Sequence, residues 1–226
     1  MTDKPSRTER RSEALTKEQI VEAAVDILDT QGEAALTFRT LAARLATGSG
    51  AIYWHVSNKD HLLAAAADHV MARALAGVTG DDGGPQGAIR AIALAVFDAF
   101  DAHSWVGARL SLAPDQSAML RFFEAIGSQL QRLGVAAAAR FDAWSALVNY
   151  ILGVAAQNAD NARRHHGEAD RETLLAAMAA RWQQLDPEDY PFLREVAAQL
   201  PGHDDREQFL AGIDLILAGI TAAVRE

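Results

Sequence analysis

Between Leu36 and Val56 the chain spells out a helix, a very short break and a second short helix, and no other segment restricts the fold so tightly. Thr37 is an N-cap residue, and Leu36 and Leu41 stand at the two positions that a hydrophobic staple joins across a helix start. The helix opened there is expected to run to about Leu45. Ala46, Thr47 and Gly48 make the turn, and Ser49 to about His55 the second helix. On that second helix Ala51, Ile52 and Val56 suit an inner side, whereas Ser49, Gly50, Tyr53 and Trp54 fall on the outer side. Either the two rings are core after all, or an exposed Tyr-Trp pair on a short helix meets a partner.

Helical signals continue on both sides. Thr16 and Gln19 have capping-box spacing, with Leu15 and Ile20 as the staple. Ile20, Ala24, Ile27 and Leu28 form one apolar stripe, and Gly32 is a natural stop. Ser57 and Asn58 offer the N-cap of a long helix reaching about Ala76, and the glycine-rich stretch Gly77 to Gly87, with Pro85, reads as a linker. Beyond it, helices are expected at about 88–102, 105–112, 115–133, 136–164, 171–185, 191–200 and 206–225, with Pro114, Pro187, Pro191 and Pro201 at breaks. No internal repeat and no alternating β-branched run calls for a sheet. The expected fold class is all-α, with residues 1–60 and 61–226 as two domains.

A net charge of -9 at first opposes a nucleic-acid partner. Its distribution matters more. Residues 1–60 carry 8 Lys and Arg against 9 Asp and Glu, while residues 61–226 carry 13 against 21, and Lys4, Lys17 and Lys59 all lie in the first segment. Any DNA contact must come from a local basic face there. The chain has 0 cysteines, which removes disulfides and thiolate chemistry and suits a reducing cytoplasm. Met1 to Glu13 is polar, unlike a signal peptide. The longest uncharged run, Ala143–Ala159, contains Asn149, Gln157 and Asn158, so a helix buried within protein is expected and not a membrane span.

Enzyme signatures are missing. Gly48, Ser49 and Gly50 lack the spacing of a nucleophile elbow, and neither a phosphate-cradling loop nor H-E-x-x-H occurs. His165 and His166 with Glu168 have metal-ligand chemistry, but adjacent histidines diverge on a helix and read as a solvated helix end. No metal and no cofactor is expected. Phe97, Trp105, Phe122, Phe123, Trp144 and Tyr150 are each ordinary core candidates. As a group with Arg109, Asn149 and Gln157, they have the composition of an apolar pocket with few polar groups. Phe209, Ile213, Ile216, Leu217 and Ile220 line one side of the last helix, with Ala211, Gly212, Ala218, Gly219 and Ala222 permitting close approach; intrachain core or an association surface both fit.

The segment LTFRTLAARLATGSGAIYWHVSNKDHLL, Leu36 to Leu63, resembles the signature of TetR-family transcriptional repressors. Cap, staple, turn length, aromatic pair and the trailing Asn58 and Lys59 stand in register. A weaker likeness runs through HSWVGARLSLAP (His103–Pro114) and FLAGIDLILAGI (Phe209–Ile220). The resemblance implies a helix-turn-helix DNA-binding domain over 1–60 and a helical ligand-binding and dimerisation domain over 61–226. It implies a homodimer on a palindromic operator in double-stranded DNA, released by a small-molecule effector, with the last helix and the one containing Ala143–Ala159 pairing with their copies. Thr37, Arg39, Ser49, Gly50, Ala51, Tyr53, Trp54, His55 and Lys59 occupy the positions that meet DNA in such repressors. Arg7, Arg10 and Arg11 form either an arm toward the minor groove or a solvated tail. There are departures: Ala46 stands at the usual turn glycine, Thr47 at an apolar turn residue and Gly48 at a polar cap. In the family's tetracycline-binding members a histidine and, through water, an acid hold the drug's magnesium ion. Arg109 and Gln157 align there, and Leu75 at a further histidine, so a metal-free effector is implied. The alternative is a helical small-molecule binding protein that has lost DNA binding.

Overall fold

The computed structural model describes residues 15–78, 83–110, 117–164 and 168–224. Arg7, Arg10 and Arg11, Pro114, and His165 and His166 lie outside the described residues. Described elements are all helical: α1 (Lys17–Gln31), α2 (Phe38–Arg44), α3 (Ser49–Tyr53), α4 (Lys59–Ala76), α5 (Gly84–Ala102), α6 (Val106–Leu110), α7 (Ser117–Arg132), α8 (Ala137–Arg164), α9 (Glu168–Gln183), α10 (Pro191–Val196) and α11 (Asp205–Val224). Short 3-10 turns sit at Glu33–Ala35 and Ala197–Gln199. None of the helices is long and apolar enough to cross a membrane, among the described residues.

Two compact units emerge, Met1–His69 and Val70–Glu226. Their division falls within α4. A continuous helix carries its backbone hydrogen bonds through such a point.

In the first unit the capping box of α1 forms as its spacing requires. Gln19 N–H donates to Thr16 Oγ1 at 3.2 Å, and Thr16 N–H to Gln19 Oε1 at 3.0 Å. Gly32, at φ 77, ends the helix with its N–H on the Leu28 carbonyl. The apolar stripe Ile20, Ala24, Ile27 and Leu28 is buried, as are Leu36, Leu41, Ile52, Leu62 and Leu63 of the same unit. Arg44 pairs with Asp26 at 2.7 Å between α2 and α1, an exposed bond that orients more than it stabilises.

In the second unit α8, the longest helix, packs against α5, α6, α7 and α11. Phe97 and Tyr150 both stack on Phe209, with ring centroids 4.8 and 5.7 Å away. Tyr150 Oη donates to the Phe209 carbonyl at 3.2 Å, and burial pushes the phenol above its ordinary pKa. Gly212 makes this possible, because a Cβ there would overlap the Tyr150 hydroxyl. Arg206–Asp98 at 3.1 Å and Arg90–Asp214 at 2.5 Å lie along the outside of the α5–α11 contact.

The structure revises two expectations here. The glycine-rich linker is shorter than Gly77 to Gly87, since α5 begins at Gly84 behind Gly83 at φ 101 and takes Pro85 into its first turn. Proline suits that place because the first-turn N–H groups have no helical partner. Phe209, Ile213 and Leu217, offered as an association stripe, are core, with α8 and α5 covering them. The side of α11 left open carries Ala211, Leu215, Ala218, Gly219 and Ala222.

Gly212→Ala is expected to destabilise the protein by about 1–3 kcal/mol, the usual range for overpacking, whereas Gly127→Ala, whose Cβ would meet only Trp144 Cδ1 at 3.9 Å, is expected to be neutral or stabilising. Urea unfolding of both variants against the parent checks the pair.

Candidate nucleic-acid interface

Local chemistry in α2 and α3 decides which groups reach the surface. Thr37 caps α2, and its capping box is completed by Thr40 and not by a Glu or Gln: Thr40 N–H donates to Thr37 Oγ1 at 3.1 Å and Thr37 N–H to Thr40 Oγ1 at 3.0 Å. Thr40 Oγ1 also donates to the Ala35 carbonyl at 2.7 Å, tying the cap to the preceding 3-10 turn. At the far end Thr47 N–H returns to the Ala42 carbonyl at 3.0 Å. The residue between, Ala46, has φ 49 and is the one non-glycine residue with positive φ among those described. This is the position where the sequence departs from the family's turn glycine, and the Cβ makes the departure costly.

Gly48 is extended and gives α3 no side-chain cap. The helix then holds by its inner side. Ile52 is 0% exposed and Val56 4%, and the chain leaves α3 through His55 N–H and Val56 N–H, both on the Ile52 carbonyl. α3 ends at Tyr53, two residues before the expected His55. The aromatic pair is not core: Tyr53 is 55% exposed and Trp54 90%.

Around that pair, Thr37, Arg39, Ser49, Gly50 and His55 are exposed, and Ala51 is half-buried at the edge. The side chains of Arg39, Tyr53, Trp54 and His55 have no hydrogen-bond partner among the described residues. Lys59 is placed differently from a freely extended phosphate contact. It is half-buried and its Nζ donates to the Glu33 carbonyl at 2.7 Å, bracing the start of α4 on the turn before α2. Asn58 caps α4 through His61 N–H at 2.8 Å, and Ser57 Oγ lies 2.5 Å from His61 Nδ1. Reading the sequence also missed Phe38, which stacks on Tyr53 with centroids 4.4 Å apart and planes 18° from parallel. Its only signal was an aromatic residue in the first turn of α2, beside Arg39.

The seven candidate ligand residues do not gather around one described hollow. Phe122 is core at 0% exposure. Phe123 and Trp144 meet edge-on at 5.2 Å, with Trp144 Nε1 donating to the Phe123 carbonyl, and line a shallow hollow of about 820 Å³ with Leu120, Arg121 and Gly127. Gln157 instead lines a cleft of about 440 Å³ with Ser104, Gly107, Ala156 and Asp160, between α6 and α8. Asn149 is exposed and donates to Ser145 Oγ at 3.1 Å; Trp105 and Arg109 are half-buried near and on α6. Helix geometry explains the split, since each residue advances about 100° and Trp144 and Asn149 leave α8 about 140° apart. Asn149 and Gln157 share an exposed face with Ala146 and Gly153. Among the described residues no group of three or more His, Asp or Glu is placed to hold a metal ion.

A short helix standing exposed on a buried anchor, joined to a capped helix by a tight turn, is the architecture of a helix-turn-helix regulator. Residues 20–66 match the family described as bacterial regulatory proteins, tetR family, and residues 80–224 match the tetracyclin repressor-like C-terminal domain. The chain belongs to the TetR family of transcriptional regulators. A TetR transcriptional regulator of Streptomyces coelicolor is similar in structure with a TM-score of 0.83 and 50% identity, over 92% of this chain and 98% of that one. An HTH-type transcriptional regulator of Saccharopolyspora erythraea is 32% identical over 97% of this chain and 90% of its own length. BioQ, solved with its double-stranded DNA operator, is 26% identical with a TM-score of 0.61, over 92% of this chain and 99% of that one.

Replacing Ala46 with glycine removes the left-handed strain and is expected to stabilise the Met1–His69 unit by about 0.5–1 kcal/mol. Increased hydrogen-exchange protection of α1 and α2 amides in the full-length chain checks it.

Proposed function

We propose that this protein is a transcriptional repressor that binds a palindromic DNA operator as a homodimer in the cytoplasm and is released from it by a small-molecule effector. Residues 1–60 serve as the DNA-binding domain and 61–226 as the ligand-binding and dimerisation domain. The observation that carries this reading is the row of exposed, hydrogen-bond-free Arg39, Tyr53, Trp54 and His55 around a helix anchored by Ile52. BioQ's complex with its operator supports the same use of the same family's fold.

In this reading α3 lies in the major groove. Ser49, Gly50 and Ala51 bring the backbone close but carry little hydrogen-bonding capacity, so base reading falls on Arg39, whose planar fork matches the two acceptors of guanine. Tyr53 and Thr37 meet phosphate, which positions the protein without specifying sequence. His55 and Trp54 add contacts at the edge. Lys59, held to Glu33, acts first as a brace and offers its remaining N–H groups to the backbone. Dimerisation uses the open faces of α11 and α8, where Leu215 is 75% exposed among Ala211, Ala218, Gly219 and Ala222, and Ala146 and Gly153 are exposed on α8. Side chains this small let helix axes approach closely, while Leu215 supplies apolar area.

In a mobility-shift titration the protein is expected to bind a palindrome with half-sites about one helical turn apart. Arg39→Ala should relax specificity at one base position and cost about 1–3 kcal/mol, and Leu215→Glu should leave only weak half-site binding. Full-affinity binding by a monomeric Leu215→Glu variant would refute the dimer reading.

The effector is expected to be metal-free and largely apolar or aromatic. Arginine has no free lone pair for a metal and repels one by its charge, and glutamine offers magnesium only a neutral oxygen, so Arg109 and Gln157 do not make a magnesium–tetracycline site. Release then follows if the ligand prefers the conformation that does not bind operator. Tetracycline with magnesium should leave the operator complex intact, and a true effector should quench Trp105 or Trp144 fluorescence. Operator release by tetracycline that EDTA reverses would overturn this.

A further inference from the structure

We propose that Phe38 is a positioning residue for DNA recognition, holding the Tyr53 ring in the orientation that presents its hydroxyl to the DNA backbone. The inference rests on the DNA-binding reading and deepens it, because Phe38 belongs to α2 and contributes no polar group of its own. Tyr53 is the last residue of a helix of 5 residues and is 55% exposed, with no hydrogen bond on its hydroxyl among the described residues. Such a side chain ordinarily exchanges rotamers in solvent, and fixing it on binding costs affinity. Here one face of the ring lies on Phe38, 4.4 Å away and 18° from parallel, while Phe38 itself is half-buried in the first turn of α2. The stack therefore restrains the tyrosine before DNA arrives.

A second consequence follows from chain order. Phe38 immediately precedes Arg39, the residue assigned to base reading, so the same stack joins the backbone that bears Arg39 to the end of α3. Groups from the two helices are then presented at a set separation. The turn between them includes the strained Ala46 and the uncapped start of α3, and neither holds that separation through a side chain. Leucine at position 38 would preserve an apolar side chain but could not stack, which separates a packing role from a positioning role.

The experiment starts with wild-type protein selecting duplexes from a fragmented genomic DNA library. Binding of a selected duplex is then measured for Phe38→Leu, Phe38→Tyr, Tyr53→Ala and the Tyr53→Ala double variants. Phe38→Leu is expected to bind roughly three- to tenfold more weakly, the scale of a lost aromatic pair. Phe38→Tyr should bind like wild type, and Phe38→Leu should cause no further loss once Tyr53 is alanine. Wild-type affinity in Phe38→Leu, or an equal loss with and without Tyr53, overturns the positioning role while DNA binding stands. Failure of the wild-type protein to select any duplex overturns the DNA-binding reading and this inference with it. A DNA-free measurement uses 3-fluorotyrosine, with the Tyr53 resonance assigned by Tyr53→Phe. Phe38→Leu should move that resonance by removing the ring current, and an unmoved resonance overturns the stack. Folding is checked by helical circular dichroism, and Phe38→Met takes the place of Phe38→Leu if the latter does not fold.

Discussion

A helix as short as α3 closes too few of its own hydrogen bonds to stand alone, so its existence depends on the burial of Ile52. That side chain is fully covered by the core of the Met1–His69 unit, and its carbonyl takes the two N–H groups that close the exit from the helix. The anchor decides what faces outward. With Ile52 and Val56 directed inward, Tyr53 and Trp54 are left at the surface, Tyr53 with one ring face on Phe38 and Trp54 90% exposed. An exposed ring pair is unfavourable in isolation, and the proposed DNA contact would offset that cost.

Around this anchor, caps and braces supplement the apolar core of the first unit. The two threonines of α2, the Gly32 stop, the Asn58 cap and the Lys59 bond to Glu33 each settle where one element ends and the next begins. The cost is concentrated at Ala46, whose positive φ stores strain in the turn that joins α2 to α3. Neighbouring hydrogen bonds, Thr47 to Ala42 above all, hold the residue there.

The second unit follows a different logic. Its long central helix, α8, spends its buried face on α5, α6, α7 and α11, and the contact with α11 is set by one absent side chain, at Gly212, which admits Tyr150 to the Phe209 carbonyl. Because that contact consumes Phe209, Ile213 and Leu217, one outward strip of α11 carries Ala211, Ala218, Gly219 and Ala222 around Leu215.

Helix order, the turn at 46–48 and the inward Ile52 were legible from spacing alone, since capping chemistry and helical periodicity are local properties of consecutive residues. Recognition of the family likewise came from one contiguous segment, Leu36 to Leu63, and the matches to residues 20–66 and 80–224 agree with it. The surroundings of the individual pocket candidates were not legible: Trp144, Asn149 and Gln157 lie on one helix, but their directions and neighbours depend on which faces α5, α6 and α7 occupy. Nor was the Phe38–Tyr53 stack, which joins residues of separate helices. The sequence by itself therefore determined the helices, their punctuation and the class of protein, because those depend on residues a few positions apart. Only the tertiary structure decided which apolar side chains are core, where Lys59 points and what holds Tyr53, because each is settled by a partner distant along the chain.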